Sequence, residues 1–152
     1  MNSPWLLLHV AGVVVWVGGM TFALTCLGPA AAELSDVPTR LRLMRRVFDR
    51  FLLWAAIAIV ATLASGGVML GEAIHDSAAR GAWIAMALIG LVMTLVFLVI
   101  RFAHYPALRA AVDREDWKAG GGRMAKIRRL VQVNTVLGWL TIAIATLGRW
   151  LG

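Results

Sequence analysis

Among the long apolar runs of this sequence, one side chain stands out as able to do chemistry. His9 is the only strongly polar ionisable residue in the apolar run Trp5–Gly28. An imidazole in apolar surroundings costs free energy unless it is hydrogen-bonded, hydrated or bound to a ligand. His9 is therefore a candidate ligand or proton acceptor. The structural alternative is a histidine bonded to a backbone carbonyl or to interfacial water, and the sequence leaves both open.

Three further residues with soft or imidazole ligands lie at a similar depth. Met69 is near the end of the second apolar run, Met86 is near the start of the third, and His75 lies between these runs. Imidazole and thioether groups suit a soft metal such as Cu(I), and both also ligate haem iron. The sequence therefore predicts a metal site made of His9, Met69, His75 and Met86.

A second set of residues is a candidate for cofactor binding. At 100° per residue, Trp16 shares a helical stripe with His9, and Asn134 lies on the polar face of the fourth apolar run. His104 lies just beyond the far end of the third run, so one haem cannot bridge it and His9. His104 is either an interfacial histidine or part of a separate site. The candidate cofactor-binding residues are His9, Trp16, His104 and Asn134, and no catalytic residue is identifiable.

The elements that must position these residues are membrane helices. The chain of 152 residues is 61% apolar with a mean hydropathy of +0.80, above the ~45–50% of soluble domains. Crossing the bilayer takes ~20 apolar residues, and backbone groups in lipid must bond within a helix. We predict an all-α, four-transmembrane-helix bundle forming a single domain over 1–152, with spans at about 5–28, 51–70, 82–100 and 130–147. The small and polar stripe of each helix should face inward. These stripes include Trp16, Met20, Ala58, Ser65, Met93, Phe97, Asn134 and Gly138.

The net charge of +7 does not indicate nucleic-acid binding. Thirteen of the 15 Lys and Arg residues lie in 40–50 and 101–129, outside the apolar runs, and no soluble basic scaffold is present. The positive-inside rule instead predicts cytoplasmic loops 29–50 and 101–129, with both termini outside, in a bacterial inner membrane. These loops should attract anionic lipids. The triplet Gly120–Gly122 predicts a flexible hinge before the fourth span.

Two stretches carry a family resemblance. Leu8–Gly19 (LHVAGVVVWVGG) and Arg128–Gly138 (RRLVQVNTVLG) resemble the copper resistance D (CopD) family, and the pair His104-Tyr105 also corresponds. CopD-type proteins are in turn similar to HemJ-type protoporphyrinogen oxidases. The resemblance implies a four-helix fold, with His9 as the leading ligand for copper or for haem b.

Two positions depart from the HemJ pattern. That family favours a lysine near the start of the third span, where this chain has Trp83–Met86, and a glutamate where this chain has Thr135. Both departures argue against porphyrin oxidation, so enzyme activity stays uncertain.

Three functions are consistent with these residues. The first is a CopD-type protein for copper binding, transport or homeostasis, served by a periplasmic copper or redox partner. The second is a haem b-binding membrane redox protein, and the third is a membrane scaffold without a cofactor. The small-residue patch Gly67–Gly71 leaves a homo-oligomer open.

Overall fold

The computed structural model describes residues 3–73 and 80–147. Four long helices, α1 to α4, account for nearly all of these residues, and no strand occurs among them. Each helix is long and apolar enough to cross a membrane. The all-α, four-span fold class predicted from hydropathy is therefore confirmed.

Two of the four helices contain π-helical segments. Helix α2 is Val37–Ala73 and α4 is Trp117–Leu147. Helix α1 runs without a break through Ser3–Val13, the π-helical Val14–Gly18, Gly19–Phe22, the π-helical Ala23–Leu27 and Gly28–Ala32. Helix α3 comprises Arg80–Val99, the π-helical Ile100–His104 and Tyr105–Asp113.

Neighbouring helices pack closely where one of them carries a glycine. A Cβ added to Gly12 of α1 would lie 2.9 Å from a backbone carbonyl of α2, and one added to Gly138 of α4 would lie 2.8 Å from Val17 of α1. Small residues let membrane helices approach in this way. The predicted inward stripes are indeed largely buried, including Trp16, Met20, Ala58, Ser65, Met93, Phe97 and Asn134.

The helices extend well past the apolar runs at the basic end of the bundle, which holds the turns 33–36 and 114–116. Asp36 precedes α2 and accepts the Thr39 amide at 2.9 Å, so it caps the first turn. Hydrogen bonds from the Thr39 hydroxyl and amide hold the pKa of Asp36 below its usual value. Further along α2, Arg42 pairs with Glu115 at 3.1 Å. Much of each predicted basic loop is therefore helical.

The glycine triplet lies inside α4, so the predicted flexible hinge is wrong. The chain turns before it, where Glu115 has a φ of 57° and Asp116 accepts the Ala119 amide at 2.9 Å. Gly120 is buried, and a Cβ there would lie 3.2 Å from Leu41 of α2. Close packing between α2 and α4 thus explains the first glycine. The change of chain direction that the hinge was expected to allow occurs at Glu115, before the glycine triplet.

Candidate metal centre

His9 is held by the backbone of the neighbouring helix. Its Nδ1 lies 3.0 Å from the Thr62 carbonyl oxygen and 3.2 Å from Ser65 Oγ. A carbonyl can only accept, so Nδ1 carries the proton and donates it. Ser65 Oγ in turn donates to the Ala61 carbonyl at 2.5 Å, which leaves its lone pairs towards His9. The Nε2 atom of the imidazole therefore retains a free lone pair.

The imidazole fits against α2 because the residue at this position of α2, Gly66, has no side chain. A Cβ added to Gly66 would lie 3.0 Å from His9 Cε1 and 3.3 Å from Nδ1. The ring therefore lies directly against the Gly66 backbone. Any larger residue at this position would push the ring away from the Thr62 carbonyl.

A π-helical segment follows His9 along α1. Such segments insert one residue into a helical turn and often occur at functional sites. In Val14–Gly18, two consecutive side chains face the interior of the bundle. Trp16 is 3% exposed and Val17 is 4% exposed. Trp16 lines the same cavity as His9, and Val17 packs against Gly138 of α4.

His9 lines a cavity of about 540 Å³ formed by all four helices. Its volume is in the range of ligand-binding pockets, ~300–1,000 Å³. Most of the lining is apolar, and none of the described residues that line it carries a carboxylate. Among the described residues, three groups that bind soft metals line the cavity, namely the imidazole of His9 and the thioethers of Met86 and Met93. The two methionines are seven residues apart and lie on the same face of α3.

The predicted metal residues have different placements. His9 and Met86 line the same cavity. Met69 is buried at 6% exposure but does not line it, and His75 lies outside the described residues. Met93 was on a predicted inward stripe but was not among the predicted ligands. Its spacing of two helical turns from Met86 was the feature of the sequence that could have identified it. In the part of the chain that the structure describes, no three His, Cys, Asp or Glu residues cluster to hold a metal. A site here would depend on thioethers.

The predicted cofactor residues do not form one group. Trp16 lines the cavity beside His9. Asn134 is 1% exposed, its Nδ2 is 3.6 Å from Met20 Sδ, and its Oδ1 has no hydrogen-bond partner among the described residues. His104 is in the basic half, next to Tyr105, which donates to Asp49 of α2.

The distance between the two histidines follows from their contacts with α2. The residue beside His104 contacts position 49, whereas His9 contacts position 62. Thirteen residues of helix are ~20 Å long at 1.5 Å per residue. His9 and His104 therefore cannot ligate one metal or one haem together.

Comparison with known families identifies the matched part of this bundle. The family model described as copper resistance protein D (CopD) matches residues 45–147, more than half of the chain. The chain belongs to the CopD family. No curated protein and no solved structure matches it. A similarity to HemJ-type oxidases is not among these matches.

The part of the chain that matches the family model contains only some of the residues that line the cavity. It covers Met86 and Met93, whereas His9 and Trp16 precede its first residue. Membership thus indicates a multi-pass membrane protein related to copper resistance. The role of α1 and its imidazole must be argued from the geometry.

Proposed function

We propose that this CopD-family protein binds Cu(I) in the four-helix cavity and handles copper at the membrane as cargo. The observation that carries the proposal is the orientation of His9. Its Nδ1 proton is donated to the Thr62 carbonyl, so the Nε2 lone pair is available in a cavity that also contains two thioethers. A hydrogen bond from the other ring nitrogen to a carbonyl fixes the ring and makes the imidazole a better ligand.

The ligand types favour a soft, monovalent ion. Thioether and imidazole groups select Cu(I) over hard cations. The described residues that line the cavity are neutral and include no carboxylate, so a divalent ion would keep its full charge in apolar surroundings at a high desolvation cost. Cu(I) carries half that charge. Neutral ligands also suit a cargo that must leave again.

The direction of handling follows from the basic loops. The cavity lies in the half of the bundle nearest the two chain ends, away from the basic turns. If the basic end is cytoplasmic, this half faces the periplasm of a bacterial inner membrane. The site would then exchange copper with a periplasmic partner.

The test is Cu(I) binding by the detergent-purified protein, measured against a competing Cu(I) chelator. We expect one high-affinity ion per chain in the wild type and a loss of affinity of at least about tenfold in His9→Ala, since one of few ligands is removed. His9→Ala must also be checked by thermal unfolding, because the imidazole packs between α1 and α2.

Two results would count against the proposal. Wild-type protein that takes up no Cu(I) would refute it, and so would a folded His9→Ala variant with unchanged affinity. Absorption spectra of the oxidised and dithionite-reduced protein belong in the same experiment. A Soret band that shifts on reduction and is lost in His9→Ala would assign the cavity to haem b instead.

A further inference from the structure

A second pocket lies at the basic end of the bundle. It has a volume of about 290 Å³ and is formed by the end of α1 and the first turns of α2 and α4. Its floor is apolar, with Leu41 at 2% and Met44 at 6% exposure. Two arginines, Arg40 of α2 and Arg128 of α4, line the same pocket. The pocket thus combines an apolar floor with two positive charges from different helices.

The two arginines are not neutralised within the described part of the chain. The ion pairs formed there use other residues, Arg42 with Glu115 and Arg45 with Asp113. The carboxylate of Asp36, which precedes α2, accepts its hydrogen bonds from Thr39. The pocket therefore repels a copper cation, although it has two methionines, and it favours an anion.

A glycine that packing does not explain forms one wall of this pocket. Gly121 is inside α4, where glycine lowers helix stability relative to alanine. Its neighbour Gly120 is explained by close contact with Leu41, but a Cβ on Gly121 would meet nothing within 4 Å. The space that Gly121 leaves open is part of the pocket. A larger side chain there would fill the pocket without disturbing the helix contacts.

The level of the pocket indicates what binds in it. Gly28 ends the first apolar run, and Arg128 lies two residues before the fourth. Both are therefore near the level where the hydrocarbon of the bilayer gives way to headgroups. A ligand at this level can place a charge beside the arginines and a hydrocarbon chain against the apolar floor.

We propose that this pocket binds an anionic phospholipid, with Arg40 and Arg128 holding the phosphate and Met44 and Met124 in contact with the acyl chain. Guanidinium groups bind phosphate through charge-assisted and often bidentate hydrogen bonds. This site is independent of the copper cavity. It is more specific than the general attraction of basic segments to an anionic surface, because it requires these two arginines and an open Gly121.

The experiment measures thermal unfolding of the full chain in neutral detergent micelles titrated with phosphatidylglycerol. Phosphatidylcholine and inorganic phosphate are titrated in parallel. Arg40→Gln with Arg128→Gln removes both pocket charges, and Arg46→Gln with Arg123→Gln is the matched control, since these arginines are exposed, lie outside the pocket and carry the same total charge. Gly121→Leu fills the pocket and changes no charge.

We expect phosphatidylglycerol to stabilise the wild type and the control equally, while its apparent affinity falls about tenfold or more in the pocket variant. Gly121→Leu should abolish the lipid effect in a protein at least as stable as the wild type without lipid. An equal loss in both double variants would overturn the proposal in favour of general surface attraction. Retained binding in Gly121→Leu would also overturn it, as would an equal shift with inorganic phosphate alone.

Discussion

The contact between Gly66 and His9 offers a direct test of how the metal ligand is positioned. In Gly66→Ala, the new Cβ would lie 3.0 Å from His9 Cε1 and 3.3 Å from Nδ1. Both distances are shorter than ordinary van der Waals contact, so the imidazole must move by a few tenths of an ångström. The ring then moves away from the Thr62 carbonyl, only four residues earlier on the same helix.

Gly66→Ala is expected to affect metal affinity and protein stability differently. When a metal-bound imidazole loses the hydrogen bond made by its other ring nitrogen, metal affinity typically falls ~10–100-fold. Replacing a helical glycine by alanine gains ~0.5–1 kcal/mol, which offsets a net hydrogen-bond loss of ~0.5–1.5 kcal/mol. Gly66→Ala should therefore weaken Cu(I) binding about tenfold or more while the free energy of unfolding changes by less than about 1 kcal/mol.

The assay pairs competitive Cu(I) titration with thermal unfolding of the same preparation. Gly71→Ala is the matched control, since it lies on the same helix and its Cβ would meet nothing within 4 Å. It should leave the affinity unchanged. If Gly66→Ala is folded and binds Cu(I) as tightly as Gly71→Ala does, then the position of the His9 ring does not determine binding and the reasoning fails.

The remaining predictions concern ligands, packing and pH. Met86→Leu should weaken Cu(I) binding about tenfold, whereas Met69→Leu should not, because Met86 lines the cavity and Met69 does not. Equal effects of the two substitutions in the chelator titration would contradict this. Gly12→Ala should lower the free energy of unfolding by ~1–3 kcal/mol through overpacking against α2, whereas Gly18→Ala, with open space around its Cβ, should not; denaturant unfolding compares them. The lowered pKa of Asp36 means that its cap stabilises the start of α2 fully above the unfolded carboxyl pKa, ~3.9, and that this stabilisation disappears as the pH falls through the lower folded value. Protection of the first α2 amides from hydrogen exchange, taken relative to their intrinsic exchange rates at each pH, should show this loss. In Asp36→Ala this protection should not depend on pH in the same range.

Residues that line the same cavity differ in how well the sequence alone identifies them. His9 was identifiable from sequence because an ionisable side chain in an apolar run is rare and costly. Met93 was not, because a methionine on an inward helical face is ordinary in a membrane helix, and its role depends on where the neighbouring helices leave space. Likewise, the spacing of Met69 is compatible with a site, but the rotation of α2 keeps it out of the cavity.

Hydropathy alone determined the four helices of this protein, because lipid requires ~20 apolar residues per crossing and internal backbone bonds. Helical periodicity determined which faces are buried. Tertiary structure alone decided that His9 donates to Thr62, that Gly66 makes room for its ring, and that Gly120 packs within a helix where a hinge was expected. These contacts depend on the rotation of each helix and on the distance between helices. The π-helical turns of α1 change its rotation, and a hydropathy pattern does not predict where such turns occur.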